Sequence, residues 1–211
     1  MQNQLTKKAL VYALIRKAIL SGELKPGEIL NEGELARRYG AGKTPTREAL
    51  IVLTHEKFLE PMPRLGYIVT KTTIQDILET FHLRMVLEVE AIGLAVERIS
   101  DEQICELEKN NREEQEIIGT LNGSQFKEKA YQLNRAFHLV IARAAGSARL
   151  AEFIQQMIDD MERMLEVDPY LADPSQHAEI ISQIKQHNRE LAQDALRRHL
   201  EDTRSRILNR F

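Results

Sequence analysis

The chain has 211 residues, 43% hydrophobic and 29% charged, which is enough for a real core in one large domain or two small ones. No apolar run approaches the roughly 18 residues of a membrane span, and the polar start Met1 to Lys8 lacks the apolar stretch of a secretory signal, so a cytoplasmic protein is expected. The net charge of −3 hides an asymmetry: residues 1–72 carry 12 Lys/Arg against 7 Asp/Glu, and residues 73–211 carry 17 against 25. The basic part suits phosphate, while the acidic part would stay off a duplex.

Val11, Leu14, Ile15, Ala18 and Ile19 recur at helical spacing and predict a first helix over about residues 5–21. Leu24 to Glu28, with Pro26-Gly27, reads as a turn. Asn31 is placed to cap a second helix that buries Leu35 and Ala36. The run Gly40-Ala41-Gly42-Lys43-Thr44-Pro45-Thr46-Arg47-Glu48-Ala49-Leu50 follows. A helix, a Gly-bearing turn and a second helix opened by Thr-Pro is the pattern of a helix-turn-helix. The second helix is expected from about Thr44 to Lys57, with Pro45 where its missing N–H costs nothing. Its inner face is Ala49, Leu50 and Leu53, with Phe58 beyond. Lys43, Thr44, Thr46 and Arg47 crowd its start, the end that presents side chains to base edges and amides to phosphate. Leu59 to Met62 and Tyr67 to Val69 read as hairpin strands around Pro63-Arg64-Leu65-Gly66. A hairpin after a recognition helix is a wing, and Arg64 and Gly66 at its tip suit the adjacent minor groove or backbone.

After Thr70 to Thr73 the pattern becomes helical only. Helices are expected over about 73–99, 100–118, 123–145, 147–166, 175–186 and 188–209, separated by Gly119 to Gly123, Gly146 and Asp168 to Pro174. The division is 1–72, a winged helix-turn-helix, and 73–211, an all-α bundle of about six helices. Cys105 lies in an amphipathic stretch and is expected as a small core residue; as the sole cysteine it excludes an intrachain disulfide.

In the helical part Asn134 and His138 are spaced i, i+4 and share a helix face. His177 and His199 lie on the last two helices. Antiparallel packing could converge these four side chains on a point that suits zinc, nickel or another first-row divalent metal, though their separations alone are weak evidence for it. Taken alone, scattered histidines read as surface or core residues, and His55, His82 and His187 keep that reading. Arg84 and Glu88 form an i, i+4 pair whose simpler reading is a solvated ion pair; the alternative is an arginine aimed inward at a carboxylate effector. Glu113-Glu114 and Arg197-Arg198 read as solvated faces.

Together these stretches resemble the GntR family of transcription regulators, FadR/FCD subfamily, in its shorter six-helix VanR-like branch. The likeness covers nearly the whole length. It rests on Ile19 to Glu28, Glu34-Leu35-Ala36, Gly40 to Leu50 and Gly66, where Thr44-Pro45-Thr46-Arg47-Glu48-Ala49-Leu50 is similar to the family's Thr-Pro-Val-Arg-Glu-Ala-Leu. It continues in Arg84 and Glu88, Phe137-His138, His177 and Ala195-Leu196-Arg197-Arg198-His199.

The resemblance implies a homodimer that binds double-stranded DNA at a palindromic operator through two winged helices. It further implies an effector-binding and dimerisation domain over 73–211, in which a small carboxylate effector changes DNA affinity; repression is the commoner outcome. Asn134, His138, His177 and His199 match the ligand positions for one divalent metal per chain. Zinc is the first candidate, with nickel and manganese behind it, and Arg84 is the effector-binding arginine. Lys43, Thr44, Thr46 and Arg47 fall on the DNA-reading region, with Arg64 and Gly66 in the wing.

There are departures. Gly42-Lys43 replaces the usual Ser-Arg, which removes a helix cap worth about 1 kcal/mol and a bidentate guanine contact. Gly33 stands where many members carry a charged, phosphate-reaching side chain. Asn134 replaces the commoner Asp, which weakens the ligand set or leaves charge for an anionic effector to balance. Two rival readings stand beside this one: a metalloenzyme using the three-histidine site, with Glu179 the nearest base, and a regulator whose metal is purely structural.

Overall fold

Over residues 6–72 three helices and three short strands follow in the order α, β, α, α, β, β. The computed structural model describes residues 6–121, 123–161 and 174–210. The chain divides into two units, Met1–Thr72 and Thr73–Phe211.

In the N-terminal unit α1 spans Lys7–Leu20, capped by the Thr6 hydroxyl, and buries Val11, Ile15, Ala18 and Ile19. A short strand β1, Ile29–Leu30, precedes α2, Glu32–Arg38, where the Asn31 side chain accepts from the amides of Gly33 and Glu34. Gly40, at φ 61, turns the chain in the left-handed region that favours glycine. Helix α3, Lys43–His55, starts at Gly42 without a side-chain cap. Strands β2, Leu59–Met62, and β3, Gly66–Val69, form the hairpin. The sheet order is β1-β3-β2, antiparallel throughout, with Leu30 opposite Tyr67 and Met62 opposite Gly66. Gly66 has φ 125, and a Cβ there would lie 2.2 Å from the Leu30 carbonyl oxygen. Ile15, Leu24, Leu35, Leu50, Leu53, Phe58 and Val69 are among the residues that build one core beneath these elements.

The C-terminal unit has six helices among the described residues: α4 Ile74–Ala95, α5 Asp101–Ile117, α6 Gly123–Ala144, α7 Ala148–Asp160, α8 Pro174–Lys185 and α9 Arg189–Leu208. Capping boxes open α4 (Thr73 with Asp76) and α5 (Ser100 with Gln103). Helix α4 packs on α6, α7 and α9; α5 packs on α6 and α8; α8 packs on α9. The expected positions 5, 162–166 and 168–173 lie outside the described residues. Cys105 is exposed rather than in the core, because the inward face of α5 runs through Leu107, Asn110, Asn111, Glu114 and Ile117. Phe137, Val140, Ile180, Ile184, Leu196 and Leu200 form the main core, and the polar cluster described next adjoins it.

Candidate metal centre and nucleic-acid interface

Helix α6 carries Asn134 and His138 one turn apart, α8 carries His177, and α9 carries His199. All four are at most 2% exposed. One ligand nitrogen from each histidine lies within 4.8 Å of those of the other two. Burial pushes the His138 and His199 imidazoles below their ordinary value. The neighbouring imidazoles push them further; for His138, Glu88 works in the opposite direction. Both rings are therefore neutral near pH 7 and offer a lone pair.

The outer edge of each ring meets a polar partner. Nδ1 of His177 is 2.7 Å from Glu114 Oε2, and Nδ1 of His199 is 3.0 Å from Gln176 Oε1. Nδ1 of His138 lies 2.5 Å from Glu88 Oε2, at an angle outside hydrogen-bond geometry. On its other edge, His138 Nε2 lies 3.4 Å from an Arg84 amino group. Among the described residues, Asn134 Oδ1 and His177 Nε2 have no hydrogen-bond partner. Buried polar atoms are normally paired. Three imidazole nitrogens and an amide oxygen converging in the interior are a donor set that fits a divalent first-row metal.

Arg84 is not in solvent. It is 1% exposed, its Nε lies 2.5 Å from Glu88 Oε1, and its Nη1 contacts the Met161 sulfur. Burial pushes the Glu88 carboxyl up, but Arg84 and then His138 outweigh it and hold Glu88 at about 2. The solvated reading of this pair is thereby excluded. The reading of Glu114 also needs correction. Glu113 pairs with Lys129 at the surface, whereas Glu114 is 4% exposed and faces His177. Its spacing from Leu107, Asn110 and Ile117 was the available signal, since all four share the inward face of α5. Arg197 and Arg198 pair on the surface with Asp194 and Glu179, so Glu179 is taken up by Arg198. His55 and His82 are exposed, and His187 Nδ1 lies 3.0 Å from the Val96 carbonyl.

In the N-terminal unit Lys43, Thr44 and Arg47 are exposed on the first turns of α3. Arg47 reaches Glu32 of α2, with Nε at 2.9 Å and Nη2 at 3.1 Å. Thr46 is different. It is fully buried, and its hydroxyl donates to the Gly42 carbonyl at 2.9 Å, so its side chain is unavailable to a base or phosphate. It secures the uncapped start of α3 instead. Arg64 is exposed at the hairpin tip with φ 69. The glycine at 66 is required by the close approach of β1 to β3, so the fold itself accounts for that residue.

The FCD domain family matches residues 79–202, and the family described as bacterial regulatory proteins, gntR family, matches residues 7–69. The chain belongs to the GntR family of regulators with an FCD domain. It is similar to the HTH-type transcriptional regulator YdhC of Bacillus subtilis (strain 168), with 28% identity over 194 residues, covering 89% of this chain and 85% of YdhC. It is also similar to the HTH-type transcriptional repressor GlaR of Escherichia coli (strain K12), with 25% identity over 202 residues and 90% of each chain covered. Escherichia coli McbR/YncC shares the fold, with a TM-score of 0.73 at 23% identity over 98% of this chain and 99% of that one. This GntR-family chain is accordingly a transcriptional regulator and not an enzyme. None of its helices, among the described residues, is long and apolar enough to cross a membrane.

Proposed function

We propose that this regulator is a metabolite-responsive repressor, a homodimer on a palindromic operator whose affinity changes when a small carboxylate enters a metal-bearing site in the C-terminal unit. The observation that carries this reading is the trio of buried imidazoles with ligand nitrogens within 4.8 Å of one another, beside the buried guanidinium of Arg84. Asn134, His138, His177 and His199 would hold the metal, with zinc the first choice for such a donor set. When bound, a divalent ion supplies a Lewis-acid position for a carboxylate oxygen.

Arg84 provides the second point of attachment. Its Nε is committed to Glu88, while among the described residues its Nη1 and Nη2 edge meets a thioether and His138. A thioether is a weak acceptor, so an incoming carboxylate would replace it with a charge-assisted, two-pronged contact. Glu88 holds the guanidinium in place for this.

On the DNA side, each protomer would set α3 in the major groove, with half-sites about one helical turn apart. Arg47 would exchange Glu32 for phosphate or guanine, with Lys43 and Thr44 beside it and Arg64 reaching the minor groove. The repressor reading draws on the similarity to GlaR, which is named as one. Effector control requires that the acid prefer one arrangement of the dimer by a few kcal/mol.

The test is selection of binding sites from random duplexes by the full-length, zinc-loaded protein, followed by titration with a panel of small organic acids. A palindrome and an acid that shifts its affinity at least tenfold are expected. A palindrome with no responsive acid would leave a structural metal site and control by a partner protein.

A further inference from the structure

Helix α5 offers no metal ligand, yet it buries a carboxylate against the cluster. This inference rests on the metal reading above. We propose that Glu114 of α5 is a positioning residue for the metal site: it holds His177 as the Nδ1–H tautomer with Nε2 turned to the ion. Together with Glu88 of α4 it also supplies, from outside the ligand shell, the negative charge that Asn134 does not bring.

The case is clearest at His177. Its ring stacks on Phe137 with centroids 3.7 Å apart and planes 7° from parallel, which fixes the ring plane. Stacking cannot decide which edge of the ring faces inward, since a half-turn flip preserves it. Glu114 Oε2, 2.7 Å from Nδ1, breaks that ambiguity: a carboxylate only accepts, so Nδ1 carries the proton and Nε2 keeps its lone pair. Nε2 is the atom without a hydrogen-bond partner among the described residues.

At His138 the contribution is charge: Glu88 Oε2 lies 2.5 Å from Nδ1, outside hydrogen-bond geometry, so this carboxylate does not fix the tautomer. At His199 the outer partner is the neutral carbonyl of Gln176. Two of the three imidazoles are thus backed by carboxylates. Such outer-shell partners orient the ring and raise its basicity toward a metal. With a neutral amide at 134, Glu88 and Glu114 are, among the described residues, the carboxylates that face the histidines.

Two measurements on the full-length protein test this. Long-range 1H–15N spectra of the metal-free protein report tautomers directly, and His177 is expected as Nδ1–H; an Nε2–H tautomer overturns the proposal. Zinc affinity by competition with a chromophoric chelator, together with the visible absorption of the cobalt form, is then compared among wild type, Glu114→Gln, Glu114→Ala and Glu114→Asp. Glu114→Ala should bind zinc about 10–100-fold more weakly, the scale usual for outer-shell partners, and shift the cobalt bands. Glu114→Gln should fall between, since its carbonyl still accepts the Nδ1 proton without the charge, and Glu114→Asp should recover part of the loss. Folded variants with wild-type affinity and spectrum overturn the proposal while leaving the metal reading intact. Wild-type protein that takes up neither ion overturns both.

Discussion

Replacing Arg84 by Met tests the polar interior of the C-terminal unit. Arg84 and Glu88 are 1% and 4% exposed at the side chain, so water cannot take over from either partner. Removing one member of such a pair costs about 3–5 kcal/mol, because it strands the other charge. Linkage gives a consistent figure. Glu88 sits at about 2 against an ordinary 4.5, and Arg84 is the largest force pulling it down. At 1.36 kcal/mol per pH unit this is about 3 kcal/mol of stability. That stability is present above pH ~4.5 and is lost as the pH falls toward 2. Calorimetry of the full-length protein at pH 7 should show the C-terminal transition of Arg84→Met lowered by roughly 10 °C. Adding Glu88→Gln removes the stranded charge and should restore much of that loss. A single variant within about 1 kcal/mol of wild type, or a double variant no better than the single, would refute the buried-pair argument.

Arg47→Ala should lower operator affinity roughly 5–100-fold while leaving thermal stability nearly unchanged, since Arg47 is 63% exposed and its surface pair with Glu32 is worth little; binding titrations beside melting curves check this. Gly66→Ala places a Cβ 2.2 Å from the Leu30 carbonyl oxygen at a φ that only glycine adopts freely, so a loss above about 2 kcal/mol is expected in the N-terminal unit, read as lost DNA binding with zinc uptake retained. Chelator-treated protein should lose stability as the pH falls from about 6.5. His138 and His199 titrate below that value when folded, so the unfolded chain takes up protons first. Melts from pH 8 to 5 that stay flat or rise on acidification would contradict this.

Much of the fold was legible because local chemistry and periodicity agreed. Asn31 caps α2, and the hairpin strand Leu59–Met62 stands where its residues predict it. Strand β1 escaped detection because two residues, Ile29 and Leu30, show no alternation, and only their pairing with Ile68 and Tyr67 defines them. The misreading of Thr46 is instructive. It shares a helical phase with Ala49, Leu50 and Leu53, and that phase was a better guide than its hydroxyl. Glu114 was harder to find. A charged residue on a helix rich in charge reads as solvated unless its helical phase with Leu107 and Ile117 is weighed above its charge. The convergence of His138, His177 and His199 was likewise not readable from their separations; the likeness to a family of regulators directed attention to them.

The metal content of untagged protein, measured by elemental mass spectrometry beside His138→Ala, tests the proposed site most directly. The account predicts about one divalent ion per chain in the wild type, lost in the variant. Wild-type protein that stays free of metal after exposure to zinc, or a variant that retains as much as wild type, would contradict it.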